Sequence, residues 1–204
     1  MDTTRASLLI RIRNPDDSVA WNEFYQIYAP LIYRFALSRG LNHADAEEIR
    51  SSCYETIVKN IESFEYEKQK GGFKAWLRRV VTNRVIDLKR KRMAEPGYDT
   101  QLNRVAATEK SPDEMFDEQW KSNHLNYCLK KLKPQFDQTK FQAFMLLLEG
   151  NSVELVCEKL SLNANQVYKA KSRILKLVRQ ELNQIEEFSY AIPTSDSSGD
   201  FLAD

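Results

Sequence analysis

Glycine, cysteine and histidine are scarce in this sequence, and each scarcity argues against a class of protein. The chain has six glycines in 204 residues, and no stretch forms a phosphate-binding loop or a dinucleotide-binding fingerprint. Its two histidines, His43 and His124, lack neighbours at metal-ligand spacing. The three cysteines are far apart, which favours reduced thiols over a disulfide framework. The sequence therefore predicts a protein that is not an enzyme and that binds neither a cofactor nor a metal.

Long apolar runs are missing as well. The strongest apolar cluster, residues 144–148, is far shorter than the roughly 18 residues that a membrane-spanning helix requires. The first residues lack the basic and then apolar layout of a secretory signal peptide. We therefore expect a cytoplasmic protein that does not associate with a membrane.

Helix-forming residues dominate what is present. Apolar residues recur at intervals of three and four, which predicts an all-α protein. A stretch with prolines, glycine and scattered charges interrupts this pattern and favours two small helical domains joined by a flexible linker. We expect a first domain over residues 1–93, a linker over 94–117, a second domain over 118–185 and a disordered tail over 186–204, which carries five acids and no lysine or arginine.

Positive charge is concentrated in one predicted helix, residues 73–93. The whole chain has a net charge of +1, whereas this window holds eight basic residues and one acid, a net of +7. Such segregation suits a phosphate backbone, although a merely solvated charged helix is the alternative. Arg84 falls in the middle of the apolar face of the helix, where a charge needs a partner. The candidate partners are Asp45, Glu48 and Asp87.

Aromatic residues accompany this basic helix and could stack on unpaired bases. Phe73 and Trp76 lie on its apolar stripe, which favours a place in the core. Phe64 and Tyr66 belong to the preceding loop and are freer, so they are the better candidates for contacting an unstacked base.

The second domain contains a helix-turn-helix pattern. A short helix over residues 153–160, a tight turn over 161–164 and a second helix from Asn165 have the layout of a DNA-reading unit. At 100° per residue the second helix separates an apolar side from a polar one. That polar face could contact phosphates and base edges, while an ordinary solvated face on a helical hairpin is the alternative. Its residues are Asn165, Lys169, Ser172, Lys176 and Gln180, flanked by Arg173 and Arg179.

Three stretches resemble the extracytoplasmic-function (ECF) sigma factors of the sigma-70 family. The segment from Trp21 to Tyr33 is similar to the start of region 2 of that family. The segment 129–134, with the helix-turn-helix after it, is similar to region 4. A third segment resembles the sequence hallmark of region 2, and it reads Phe73-x-x-Trp76-Leu77-x-x-Val80-x-x-Asn83-x-x-x-Asp87-x-x-Arg90.

The resemblance implies a non-enzymatic subunit that directs core RNA polymerase to promoters. Region 2 of the family grips the β′ clamp helices and melts the −10 element, and its loop, matching about residues 63–72, captures a flipped base. Region 4 reads the −35 element, beside the β flap of the polymerase. The residues implied for the −10 element are Phe64, Tyr66, Arg78, Arg79, Asn83, Lys89 and Arg90. Those implied for the −35 element are Asn165, Gln166, Lys169, Ser172, Arg173 and Lys176.

One departure from the family concerns the helix that contacts polymerase. Relatives carry an Asp-Leu-x-Gln-Glu run there, and this chain has Glu48-Ile49-Arg50-Ser51-Ser52. The two serines reach less far and remove one negative charge, which predicts weaker or altered polymerase binding. We expect the polymerase surface to include Glu48, Arg50, Ser51 and Ser52.

Two other functions fit the sequence. A stand-alone helix-turn-helix regulator would be a dimer on a palindromic site, whereas a sigma factor is expected to be a monomer when free. A degenerate paralogue would bind polymerase or an inhibitor without initiating transcription. Relatives are also commonly held by an anti-sigma factor, which is a possible partner here. The acidic tail is either an inert extension or an autoinhibitory segment that folds onto the basic helix.

Overall fold

The computed structural model describes residues 6–64, 72–94 and 110–184. Over these ranges the chain forms α-helices and one 3-10 turn, Lys133–Gln135, with no strand, which confirms the all-α prediction for the part described. The helices are α1 (Ala6–Arg11), α2 (Ser18–Ser38), α3 (His43–Asn60), α4 (Gly72–Met93), α5 (Pro112–Leu132), α6 (Gln138–Leu148), α7 (Val153–Leu160) and α8 (Ala164–Asn183).

The chain divides into two compact units between His124 and Leu125. The predicted linker over 94–117 differs from the structure at its C-terminal end, because α5 already begins at Pro112. Proline suits the first turn of a helix, where its missing N–H has no partner to lose. Ser111 and Glu114 complete the helix start, since the Ser111 N–H donates to the Glu114 carboxylate (2.7 Å) and the Glu114 N–H donates to Ser111 Oγ (3.2 Å). This capping box marks the start of the helix, but the prolines nearby favoured the interpretation as a linker.

The first unit is built around α2, whose inward side is buried along most of its length. Asp17 caps this helix by accepting from the Ala20 N–H (2.9 Å). Arg11 of α1 donates to both oxygens of the same carboxylate, at 2.8 and 2.9 Å. The helix ends before Gly40, which has a positive φ of 81° that glycine adopts without strain. The buried α2 residues are Ala20, Phe24, Ile27, Tyr28, Ala29, Leu31, Ile32, Phe35 and Ala36.

Helices α3 and α4 pack on α2 and on each other. Asn42 caps α3 by accepting from the Asp45 N–H (2.8 Å). The apolar stripe of α3 is buried, and α4 buries one residue in every turn. The buried residues are Ala46, Ile49, Cys53, Ile57 and Ile61 on the α3 side, and Phe73, Leu77, Val81, Val85 and Leu88 on α4.

The second unit contains the predicted helix-turn-helix, α7 and α8, packed on α6. The turn between them begins at Ser161, which has a left-handed conformation (φ 53°, ψ 41°) and ends α7 with a hydrogen bond from its N–H to the Cys157 carbonyl. Two clusters form the core, one around Phe144 and Ile174 and the other around Val156 and Val167. Helix α8 begins one residue earlier than predicted, at Ala164.

Several expectations concern residues outside the described ranges. These are the tail from residue 186, most of the predicted linker, and most of the loop over 63–72. Within the described ranges, no helix is long and apolar enough to cross a bilayer. The same ranges contain no group of histidine, cysteine and carboxylate side chains that could hold a metal ion.

Candidate nucleic-acid interface

The basic helix α4 exposes only part of its charge. Arg79, Asn83 and Arg90, all predicted to contact DNA, are exposed to solvent. Lys89 is half-buried instead, and its ammonium donates to the Arg39 carbonyl at 2.5 Å. Burial lowers the pKa of Lys89, and the neighbouring Arg39 lowers it further.

Arg78, another predicted DNA contact, lies in an ion-pair cluster with α5. Its guanidinium is 3.5 Å from the Asp113 carboxylate and 3.6 Å from that of Asp117. Lys74, one helical turn earlier, is 2.9 Å from Asp117. These two basic side chains therefore face carboxylates of the same protein, which the sequence-based assignment did not foresee.

Arg84 does not pair with any of the predicted carboxylates. Its Nε and Nη2 donate to Thr56 Oγ1, at 3.1 and 2.7 Å. Asp45 instead accepts from Arg92, two turns further along α4, at 2.8 Å. The prediction was wrong because the sequence pattern does not give the register between α3 and α4. Later positions of α4 face earlier positions of α3, so Arg92 meets Asp45 while Arg84 meets Thr56. Burial raises the pKa of the nearby Cys53 thiol to about 12, although Arg84 opposes the rise.

The aromatic residues near the loop form a cluster. Phe73 is fully buried, as predicted, and the half-buried Trp76 lies with its ring centroid 5.5 Å from that of Phe73. Phe64 is not loose, because its ring packs on Trp76 (5.1 Å) and its carbonyl accepts from Arg13 (2.7 Å). Tyr66 lies outside the described residues. An unstacked base could therefore reach Phe64 only where Trp76 and Phe73 leave its ring uncovered.

The predicted polymerase surface lies on α3. Glu48 is partly exposed and accepts from Arg92 of α4 at 3.2 Å, so the acid is held in place by the basic helix. Ser51 is exposed and Ser52 is half-buried. The α3 surface therefore presents a mixed set of one oriented acid and short hydroxyls.

Arg50 adds an aromatic contact that the sequence pattern did not indicate. It forms an ion pair with Glu47 and lies over the ring of Tyr25, 5.6 Å from its centroid. Tyr25, from α2, is 42% exposed and packs against Tyr54 with ring centroids 5.1 Å apart. Burial raises the pKa of the Tyr54 hydroxyl. The surface around Arg50 thus extends from α3 onto α2.

Helix α8 presents the predicted polar face to solvent. Its N-terminal half exposes Asn165 and Lys169, and further along Ser172 and Lys176 are exposed as well. Such side chains can donate to phosphates and to base edges. Arg173 is also exposed, with its guanidinium 5.6 Å from the ring centroid of Phe136.

Gln166 has a structural role that the sequence-based assignment to DNA overlooked. Its Oε1 accepts from the Asn163 N–H (2.9 Å), and Asn163 Oδ1 accepts from the Gln166 N–H (2.9 Å). This reciprocal pair is a capping box, and its Asn-x-x-Gln spacing was readable from the sequence. Tyr168, which no motif singled out, is 56% exposed on the same half of the helix.

Comparison with known proteins gives two findings. Residues 24–95, which comprise most of α2 together with α3 and α4, match the family model described as Sigma-70 region 2. The chain is also similar to the ECF RNA polymerase sigma factor SigE of Mycolicibacterium smegmatis, with 25% identity over 119 residues. That match covers 57% of this chain and 45% of the relative, so it spans less than half of the relative's length.

Proposed function

The chain belongs to the sigma-70 family as a member of the extracytoplasmic-function type, and on this premise we propose that it binds core RNA polymerase and directs initiation at particular promoters. The observation that supports the proposal most strongly is the region 2 match, because the matched residues include the basic helix α4. The second unit adds a helix-turn-helix with an exposed polar face on α8.

In this proposal each exposed surface has a separate task. The α3 surface with Glu48, Arg50, Ser51 and Ser52 binds the β′ clamp helices. The exposed part of α4 and the aromatic cluster at Phe64 contact the −10 element. Helix α8 reads the −35 duplex in the major groove, where phosphate contacts fix its position and base-edge contacts supply specificity.

The test is reconstituted run-off transcription with bacterial core polymerase on a library of genomic promoters. We expect transcripts that depend on the added protein and that share two upstream motifs. Polymerase binding without such transcripts would favour the degenerate paralogue. Absence of both binding and transcripts with a cognate polymerase would favour the stand-alone regulator, and a palindromic site would support that reading.

A pair of charge reversals tests the polymerase surface separately. In the variant E48K/R50E the net charge is unchanged, but the oriented acid and the cation over Tyr25 are both reversed. We expect weaker binding to core polymerase in a co-migration assay and little change in affinity for free DNA. Unchanged polymerase binding would show that the α3 assignment is wrong.

A further inference from the structure

The first half of α5 is anchored to the first unit by buried side chains. Phe116 and Trp120 are fully buried, and the Trp120 ring lies 5.6 Å from that of Tyr28. Asn123 is also buried, and its amide donates to the Ile27 carbonyl at 2.6 Å. Residues 112–124 are therefore a packed part of this unit, although the sequence pattern placed their first half in a linker.

The exposed side of the same segment is acidic where it meets α4. Asp117 lies 2.9 Å from the Lys74 ammonium, and Asp113 lies 3.5 Å from the Arg78 guanidinium. Lys74 and Arg78 keep 26% and 29% of their side-chain surface exposed. A phosphate could therefore reach both cations, but it would have to replace a carboxylate that is already there.

The segment places negative charge over the N-terminal half of α4, where its aromatic residues also lie. Carboxylates at these distances compensate the two cations and repel an approaching phosphate. The release of counterions that drives DNA binding is reduced when a basic side chain is already neutralised by the protein. The aromatic anchors hold the segment in place, so the exchange of carboxylate for phosphate needs only side-chain movement.

We propose that residues 112–124 are an intramolecular charge mask that lowers the affinity of α4 for DNA. Asp113 and Asp117 form ion pairs with Arg78 and Lys74 until a phosphate replaces these carboxylates. The proposal rests on the proposed function, because it assumes that α4 contacts DNA.

The test compares two double variants of the full chain that remove the same charge from the same helix. D113N/D117N removes the carboxylates that face α4. The control E114Q/E118Q removes two carboxylates whose partners are local: Glu118 pairs with Lys110 (2.6 Å) and Glu114 caps the helix, a position that glutamine also fills. Binding to a short fluorescent duplex of mixed sequence is measured by anisotropy over a range of salt concentrations.

We expect D113N/D117N to bind DNA roughly three to ten times more tightly than the control at low salt. The slope of log affinity against log salt should also become steeper, by about 0.9 for each phosphate gained. Equal affinities and slopes for the two double variants would overturn the mask, because the effect would then be one of net charge.

The variant R79Q separates failure of the mask from failure of the proposed function. Arg79 is exposed and belongs to α4. If R79Q weakens DNA binding while D113N/D117N behaves as its control, α4 contacts DNA and only the mask is wrong. If neither R79Q nor R90Q weakens binding, the assignment of α4 to DNA fails, and the mask fails with it.

Discussion

Helices α4 and α8 both carry basic residues expected to contact DNA. More of the basic side chains of α4 than of α8 form ion pairs or hydrogen bonds with the rest of the protein. On α4, Lys74 and Arg78 face carboxylates of α5, Arg84 donates to Thr56, and Lys89 donates to a carbonyl. On α8, the polar face stays exposed along its length. The net charge of a helix measures its long-range field, whereas direct contact with phosphate depends on which side chains remain available.

This difference between α4 and α8 depends on the first half of α5 being part of the first unit. The largest predicted effect tests whether it is. Trp120 is fully buried, so W120A should lower the free energy of unfolding of this unit by about 3–5 kcal/mol, through lost burial and the cavity left behind. Urea unfolding followed by circular dichroism measures the change. The control W21A removes a half-buried tryptophan and should cost less. A loss of under about 1 kcal/mol for W120A would mean that the segment does not belong to this core.

The second prediction compares the two helices directly by removing two charges from each. K169Q/K176Q takes two exposed lysines from α8, and R78Q/K89Q takes two engaged cations from α4. We expect the α8 variant to lose DNA affinity by on the order of tenfold at low salt, with a salt slope smaller by about two. The α4 variant should lose clearly less. Equal losses in a titration at several salt concentrations would remove the distinction between the helices.

The third prediction separates two adjacent amides at the start of α8. Q166A should lower the free energy of unfolding of the second unit by about 0.5–1 kcal/mol, because half of the capping box is lost. It should leave DNA affinity nearly unchanged. The matched variant N165A should do the reverse, since Asn165 is exposed and lies on the polar face. Thermal unfolding and DNA binding of both variants provide the check, and a loss of DNA affinity in Q166A alone would return Gln166 to the interface.

The sequence predicted the helices well because their signals are local. The recurrence of apolar residues and the layout of the helix-turn-helix depend on spacing within one segment, and both appear in the structure as expected. The partner of Arg84 lies on α3 and that of Lys89 just after the end of α2, and single-sequence periodicity does not fix the register between helices. That residues 112–124 belong to the first unit was missed for a related reason. The prolines suggested a linker, and the core that these residues join is formed by helices far away in sequence.

The smallest predicted effect is a pH dependence of the free energy of unfolding that follows from the partial burial of Lys89. Burial lowers its folded-state pKa below the unfolded value of about 10.4, so between these two values the unfolded chain binds more protons than the folded one. Stability therefore gains from this group as pH rises through that window, and the gain is complete above the unfolded pKa. In K89M the group is absent, so the difference in unfolding free energy between wild type and K89M should move in favour of the wild type across the window.

Unfolding of both proteins from pH 8 to pH 11 gives this difference, with K169M, which removes an exposed lysine of α8, as the control. A difference that stays flat for K89M would mean that Lys89 is as solvated as the lysines of α8, and the contrast between the two helices would lose this part of its support.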